Sequence, residues 1–364
     1  MSEETKQPAA RRVLSGMRPT GKLHLGNYMG ALKNWVDLQN ATNDDGTPKY
    51  ECYFFIADYH ALTTDYADTS ELPANVREVA LDFLAAGLDP SRSTIFIQSK
   101  VPAHAELALL LGMITPLSWL ERVPSYKDQQ EQLKEKDLAT YGFLGYPLLM
   151  SADILLYQPD FVPVGQDQAA HVEITREIAR RFNHFYPRNL GGNEWVRPIA
   201  ESAEPEFLNV LPEPKVLLTP SPKLPGTDGR KMSKSYGNTI LLSDPEAEVR
   251  AKLKTMVTDP ARIRRTDPGN PDVCPVFDLH KVFSTEEKQT EVRAGCTSAG
   301  IGCIQCKGWL ADAVVKELEP IQQRRQHFEA NPEEVAMALK QGAVRANVRA
   351  EQTMQQVRFA VRLG

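Results

Sequence analysis

Short β-rich runs alternate with helical patterns along most of the chain, and this alternation constrains the fold more than any other feature. The helical period is clear in residues 75–86, where apolar side chains recur on one face until Gly87 marks the end. Strands separated by helices predict a doubly wound parallel α/β sheet rather than hairpins. Four runs are predicted strands, each followed by a candidate helix: residues 13–15, 53–57, 94–98 and 161–164.

The length of 364 residues exceeds one typical domain, and the composition, 42 % hydrophobic and 24 % charged, is typical of soluble globular proteins. Strand-like runs stop near residue 242, so we expect an α/β domain at 11–241 and a helical domain at 242–364. Residues 1–10 are predicted to be a disordered terminus, and the polar stretch 127–137 a surface helix or mobile insert.

No apolar run approaches the roughly 20 residues that a membrane helix needs, and the N-terminus lacks the apolar core of a signal peptide. The sequence therefore predicts a cytoplasmic protein with no membrane partner. A net charge of −5 does not indicate nucleic-acid binding by the whole chain, so any RNA contact must be local. Basic residues concentrate in segments 250–265 and 324–362, although a solvated helix face is the commoner explanation for such runs.

The segment 15–30, SGMRPTGKLHLGNYMG, predicts a strand that turns through glycines into a helix beginning near Gly26. Nucleotides bind at such turns because glycines let a ligand approach the backbone, and because the first N–H groups of a helix attract phosphate. His24 and Asn27 add neutral donors beside that helix end. An ordinary structural turn would show the same glycines.

The segment 226–235, GTDGRKMSKS, carries two lysines in a loop that follows a proline-rich stretch. Lys231 and Lys234 are mobile point charges, which suits them to a leaving polyphosphate on which negative charge accumulates. Ser233 and Ser235 add hydroxyl donors. Taken alone, the loop is also compatible with a solvated basic turn.

Asp153 lies in the otherwise apolar run YPLLMSADILLY, residues 146–157. A pocket for an indole needs one buried acceptor among apolar walls, because the ring presents a single polar atom, its N–H donor. Asp153 could also be a structural residue that caps a helix or forms an ion pair. The local sequence favours the two interpretations equally.

Four of the five cysteines lie between residues 274 and 306. Their last two members form a C-x2-C pair that supplies two thiolates from one turn, and the other two complete a set of four. Zinc and an iron–sulfur cluster both fit four thiolates. The predicted ligands are Cys274, Cys296, Cys303 and Cys306.

These segments together resemble the class I aminoacyl-tRNA synthetases, whose two signature motifs match HLGN at residues 24–27 and KMSKS at residues 231–235. Asn27 replaces the second histidine of the first motif. Within the class, residues 101–122 and 146–183 resemble the tryptophanyl-tRNA synthetases. The likeness implies a Rossmann-type catalytic domain and a helical domain that approaches the tRNA anticodon.

The resemblance also implies roles for individual residues, with Asp153 accepting a hydrogen bond from the indole nitrogen. The tryptophan site would comprise Tyr146, Met150, Asp153, Val162, Val164, Gln168 and His60. The ATP site would comprise Arg18, Thr20, Gly26, Gly165, Asp167, Met232, Ser233 and Ser235. The catalytic residues would be His24, Asn27, Lys231 and Lys234.

By the same resemblance, the chain activates L-tryptophan with ATP and Mg²⁺, transfers it to tRNA(Trp), and forms a homodimer through residues 101–145. The four cysteines would hold a [4Fe–4S] cluster, with Zn²⁺ as the alternative. Two other functions stay open from the residues alone. One is a tyrosine-specific synthetase, and the other is a non-catalytic RNA-binding relative that retains an inert nucleotide site.

Overall fold

A computed structural model describes residues 10–124, 126, 137–165, 168–187, 209–218 and 223–363. The predicted disordered terminus, apart from residue 10, and the polar stretch 127–137, apart from residue 137, lie outside the described residues. Asp167 also lies outside them.

The described strands form one parallel sheet, as the alternation predicts. They are β1 (Arg11–Met17), β2 (Tyr50–Ile56), β3 (Ser93–Ile97), β4 (Phe161–Val164) and β5 (Lys215–Leu218). Their spatial order is β3-β2-β1-β4-β5, with every described pairing parallel. The predicted fold class is therefore confirmed. The sequence did not indicate β5, whose four residues are exposed or half-exposed and show no apolar alternation.

Helices cover both faces of the sheet, and among the described residues none is long and apolar enough to cross a membrane. All described elements after residue 242 are helical, but the division into two domains stays a prediction. The helices are α1 (Leu25–Asn27), α2 (Lys33–Asn40), α3 (Asp58–Asp65), α4 (Leu72–Ala86), α5 (Ala103–Gly112), α6 (Leu117–Glu121), α7 (Tyr141–Leu144), α8 (Tyr146–Tyr157), α9 (Ala169–Phe185), α10 (Glu246–Thr255), α11 (Pro275–Phe283), α12 (Glu286–Thr297), α13 (Cys303–Ala330) and α14 (Pro332–Ala360).

Two hydrophobic clusters lie on opposite faces of the sheet, because successive side chains of a strand point to opposite sides. Val13 and Phe54 belong to a cluster with α2, α4 and α13. Their chain neighbours Leu14 and Phe55 belong to a second cluster with α5, α8 and α14. Strands β2, β3 and β4 are thus largely buried on both faces, which explains why apolar residues dominate their sequences.

The last helix, α14, lies against β3, the strand at one end of the sheet order. Arg345 donates hydrogen bonds to the carbonyl oxygens of Ser93 (3.1 Å) and Pro90 (2.8 Å). A Cβ atom added to Gly342 would lie 1.7 Å from the carbonyl oxygen of Ile95. The helix therefore covers backbone groups that an edge strand would otherwise expose.

Replacing Gly342 by alanine is expected to lower the free energy of unfolding by about 1–3 kcal/mol or more, because the methyl group must displace backbone. Gly308→Ala in α13 is the matched control. Its Cβ would meet nothing within 4 Å, and a helical alanine is favoured over glycine by about 1 kcal/mol. Urea unfolding of both variants measures the contrast. Equal urea midpoints for the two variants would show that α14 does not pack tightly against β3 at Gly342.

Candidate active site

The strand order reverses between β1 and β4, which is where ligands bind in open parallel sheets, beyond the carboxyl ends of the strands. The chain leaves β1 at Met17 and enters the glycine-rich turn, and it leaves β4 at Val164, immediately before Gly165. The topology therefore brings two separately predicted ligand segments to one edge of the sheet.

His24 caps helix α1 through a reciprocal pair of hydrogen bonds with Asn27. Its Nδ1 atom accepts from the backbone N–H of Asn27 (3.3 Å), and the Asn27 Oδ1 atom accepts from the backbone N–H of His24 (3.1 Å). Burial, with smaller contributions from Lys234 and Lys231, lowers the pKa of His24 to about 4. The ring is therefore neutral at pH 7, with its remaining proton on Nε2 as a donor.

The lysine loop is held in shape by Asn238, a buried residue that the sequence reasoning missed. Its Oδ1 atom accepts from the backbone N–H of Ser233 (2.8 Å), and its Nδ2 atom donates to Asp228 (2.7 Å) and to the carbonyl of Lys231 (3.2 Å). A Cβ at Gly226 would lie 2.2 Å from the Asn238 side chain, so only glycine fits there. The side chain of Met232 is buried beneath the loop.

Lys234 joins the lysine loop to the glycine-rich turn. Its ammonium group donates to the carbonyl oxygen of Thr20 (2.7 Å), 214 residues away in sequence. The backbone N–H of Leu23, in the same turn, donates to Asp82 (2.7 Å), a fully buried carboxylate that the sequence did not single out. Asp82 in turn accepts a hydrogen bond from Arg325 of α13.

Burial lowers the pKa of the Lys234 ammonium to about 8, although the Asp82 carboxylate opposes this shift. Lys234 in the free protein should therefore lose its charge as the pH rises through about 8. Affinity for an anionic nucleotide should fall in the same range, by up to tenfold per pH unit. Titration of ATP binding measures this, and Lys234→Arg, whose guanidinium stays charged, should not show the fall. The same fall in the arginine variant would assign it to another group.

A pocket of about 590 Å³ opens beside Lys234, within the size range of small-molecule and cofactor sites. The Nε atom of Arg18 is buried and has no hydrogen-bond partner in the described part of the chain, so it can donate to a bound anion. The lining residues are Arg18, Pro19, Thr20, His24, Ala61, Leu62, Thr64, Asp65, Asp68, Thr69, Glu71, Leu72, Asn75, Ser233, Lys234 and Ser235.

Asp153 is buried on α8, and its surroundings are more polar than the apolar walls predicted from the sequence. The Oδ2 atom lies 2.8 Å from Nε2 of His60, and the Oδ1 atom lies 2.7 Å both from Nδ1 of His104 and from Nε2 of Gln98. Burial alone raises the pKa of Asp153, but the hydrogen bonds from His104 and His60 outweigh it and lower the pKa to about 2. The carboxyl group is ionised at neutral pH.

The other residues predicted for the amino acid lie on α3, α8 and β4 and at the start of α9. Tyr146 and Met150 precede Asp153 on α8 at helical spacing, so the three share one face of the helix. Val162 and Val164 point from β4 into the hydrophobic cluster that contains α8. After β4, the backbone N–H of Gln168 donates to the carbonyl of Gly165 (3.0 Å). Arg18 interacts electrostatically with Tyr146, which links this group to the pocket beside Lys234.

The four clustered cysteines lie within electrostatic reach of one another, at the start of α11, the end of α12 and the start of α13. Burial, with smaller contributions from the other three cysteines, raises the pKa of the Cys306 thiol to about 12. A Cβ at Gly269 would lie 2.6 Å from the Cys296 sulfur, so the backbone passes close to this group. Among the described side chains, no three His, Cys, Asp or Glu residues are arranged to hold a metal ion.

Comparison with known proteins gives consistent matches along the whole chain. The family model "tRNA synthetases class I (W and Y)" matches residues 6–319. A tryptophan–tRNA ligase of Ralstonia nicotianae is 47 % identical, covering 97 % of this chain and 98 % of the relative. One from Thermotoga maritima is 48 % identical, covering 97 % and 99 %.

Solved structures give the same result. The tryptophanyl-tRNA synthetase of Campylobacter jejuni, complexed with ADP and tryptophan, superposes with a TM-score of 0.79 at 34 % identity, covering 96 % of this chain and 99 % of that one. A tyrosyl-tRNA synthetase from Archaeoglobus fulgidus, at 23 % identity and a TM-score of 0.62 over 87 % and 90 % of the two chains, shares the fold.

Proposed function

The chain belongs to the class I tRNA synthetases, in their tryptophan branch, and we propose how its residues divide the work of joining tryptophan to its tRNA. The tryptophan carboxylate attacks the α-phosphorus of ATP and pyrophosphate leaves. A hydroxyl of the terminal ribose of tRNA(Trp) then attacks the carbonyl carbon of the adenylate, which transfers the tryptophanyl group to the tRNA and releases AMP. Because the substrate supplies its own nucleophile, catalysis consists of positioning and charge stabilisation.

The nucleotide end of the site contains the groups that stabilise the leaving pyrophosphate. Lys234 and Lys231 supply positive charge, and neutral His24 offers an Nε2–H donor beside the N-terminus of α1. Arg18 and Thr20 line the same pocket. Mg²⁺ would enter with ATP and be held mainly by its phosphates.

The buried Asp153 carboxylate supports the assignment of the amino acid, because it places one ionised acceptor beside His60 and Gln98, which follow the carboxyl ends of β2 and β3. The test is pyrophosphate exchange with each of the twenty amino acids in turn. Tryptophan alone should support exchange well above background. Exchange with tyrosine would support the rival specificity, and exchange with none would support a non-catalytic RNA-binding role.

We propose that Cys274, Cys296, Cys303 and Cys306 hold [4Fe–4S], because their spacing resembles that of cluster-bearing relatives. A single zinc ion needs four sulfurs about 2.3 Å from one centre, whereas a four-iron cluster places each thiolate on a different iron atom. The mutual electrostatic influence of the four cysteines brings them together in one part of the molecule, which either group requires. Anaerobic purification followed by iron, sulfide and zinc analysis tests this. Stoichiometric zinc without iron would contradict the cluster.

Two partner surfaces complete the proposal. The exposed apolar side chains of Leu109, Met113, Leu117 and Tyr141, all within residues 101–145, support a homodimer interface there. Exposed Arg264 and Arg265, close to the cysteines, support contact with tRNA(Trp) on that side. Sedimentation equilibrium of the wild type and of Met113→Asp tests the interface. A monomeric wild type would contradict it. The division into domains at residue 242 and the cytoplasmic location stay predictions.

A further inference from the structure

His104 is the one fully buried histidine of α5, and it contacts Asp153 through one ring nitrogen and Tyr157 through the other. The Nδ1 atom lies 2.7 Å from Oδ1 of Asp153, and the Nε2 atom lies 2.9 Å from the Tyr157 hydroxyl. An ionised carboxylate only accepts hydrogen bonds, so Nδ1 must carry a proton. In a neutral ring Nε2 is then the acceptor, and the Tyr157 O–H donates to it.

The ring of His104 is held in place by aromatic neighbours. Its centroid lies 5.8 Å from that of Phe55, 6.1 Å from that of Phe96 and 5.5 Å from that of Tyr157. Burial raises the pKa of Tyr157 well above its ordinary value, so its hydroxyl keeps its proton. With a neutral ring, both hydrogen bonds therefore run from Tyr157 through His104 to Asp153.

The hydrogen bonds to Asp153 determine how many acceptor positions its carboxylate has left for a ligand. Each carboxylate oxygen has two acceptor positions. Within the described residues, Oδ1 accepts from both His104 and Gln98, which fills it, and Oδ2 accepts only from His60. Gln98 is itself fixed, because its Oε1 atom accepts from the backbone N–H of Tyr59 (3.1 Å).

One acceptor position therefore remains, on Oδ2, and the three donors that face the carboxylate are already used. An indole N–H needs one acceptor and offers none in return. A phenolic hydroxyl also needs a donor for its own oxygen, and burying that oxygen unpaired costs about 1–3 kcal/mol.

We propose that His104, oriented by Tyr157, is a positioning residue for amino-acid selection. Together with Gln98 it fills Oδ1 of Asp153, so that the carboxylate offers one acceptor position to a single N–H donor. The inference rests on the proposed function, because it takes tryptophan as the substrate. His104 does not touch the amino acid. It acts by fixing the rotation of the Asp153 carboxylate and by keeping it ionised.

The test compares tryptophan with β-(3-benzothienyl)-L-alanine, in which sulfur replaces the indole N–H at nearly the same shape. The preference is the ratio of the two kcat/KM values in pyrophosphate exchange. His104→Leu should lower this preference by about tenfold or more, because discrimination of this kind depends on a hydrogen bond to the polar atom of the substrate. His104→Asn places an amide N–H close to the position of Nδ1 and should keep most of the preference. KM for ATP should change less than about twofold in either variant.

Tyr157→Phe removes a single oxygen atom and is the variant to measure if His104→Leu does not fold. It should lower the preference less than His104→Leu, because Nδ1 of His104 stays near Asp153 without being oriented. An unchanged preference in His104→Leu, or in Tyr157→Phe if that variant alone folds, would overturn the inference and leave His104 a structural residue. An equal loss in His104→Asn and His104→Leu would also overturn it. A wild-type chain that does not activate tryptophan would instead contradict the proposed function.

Discussion

Replacing Lys234 by alanine is expected to slow tryptophan-dependent pyrophosphate exchange by about 10²-fold or more, which is the scale for loss of one donor that stabilises a developing charge. The expected loss has two sources. The variant lacks the ammonium beside the pocket, and it lacks the hydrogen bond to Thr20 that joins the lysine loop to the glycine-rich turn. Saturating tryptophan and ATP in the assay separate the loss in kcat from a loss in binding.

Lys49→Ala is the matched control for Lys234→Ala. Lys49 is exposed and precedes β2, so it lies at the amino-terminal edge of the sheet, opposite the site. Its removal should leave the exchange rate within about twofold, because surface substitutions away from special features have small effects. An alanine variant at 234 that exchanges at the wild-type rate would refute the role of this lysine.

Replacing Asp153 by alanine is expected to raise KM for tryptophan by about 10³-fold or more, while KM for ATP changes less than about threefold. The variant removes the only ionised acceptor proposed for the indole. It also leaves the donors of His60, His104 and Gln98 facing a cavity without their partner, which adds to the cost. Initial rates measured with each substrate varied in turn give the two constants.

Asp153→Asn tests the same point with little change in volume. One of its two polar atoms becomes a donor, so at least one of the three neighbouring donors loses its partner, and tryptophan affinity should again fall far more than ATP affinity. Thermal unfolding of each variant separates a loss of fold from a loss of binding. Equal losses for both substrates would count against Asp153 as the residue that selects the amino acid.

The sequence predicted the parallel sheet and the segments of the site because their signals are local. A strand, a glycine turn and a helix start follow one another within residues 15–30, and the two lysines lie in one short loop. The contacts that orient those residues are not local. Asp82 binds the backbone 59 residues away, and His104 binds Asp153 across 49 residues. A single histidine in an apolar helix gives no sign of its partner.

Asn238 and β5 were missed for different reasons. Asn238 lies three residues beyond the KMSKS motif and has the composition of an ordinary turn, so its support of Ser233 and Lys231 is visible only in three dimensions. The strand β5 is short and half-exposed, and it gains its stability by pairing with β4. In both cases the tertiary partner, and not local propensity, determines the structure.

The cover that α14 provides for β3 has a consequence for biosynthesis. A ribosome makes β3 more than 200 residues before it makes Gly342 and Arg345. During that interval the carbonyl groups of Ser93 and Ile95 lack their final neighbours, and an uncovered strand edge can pair with another nascent chain. We therefore expect the catalytic sheet to complete its folding only after release of the last helix. Chains truncated before Pro332 should aggregate rather than accumulate as a soluble fragment.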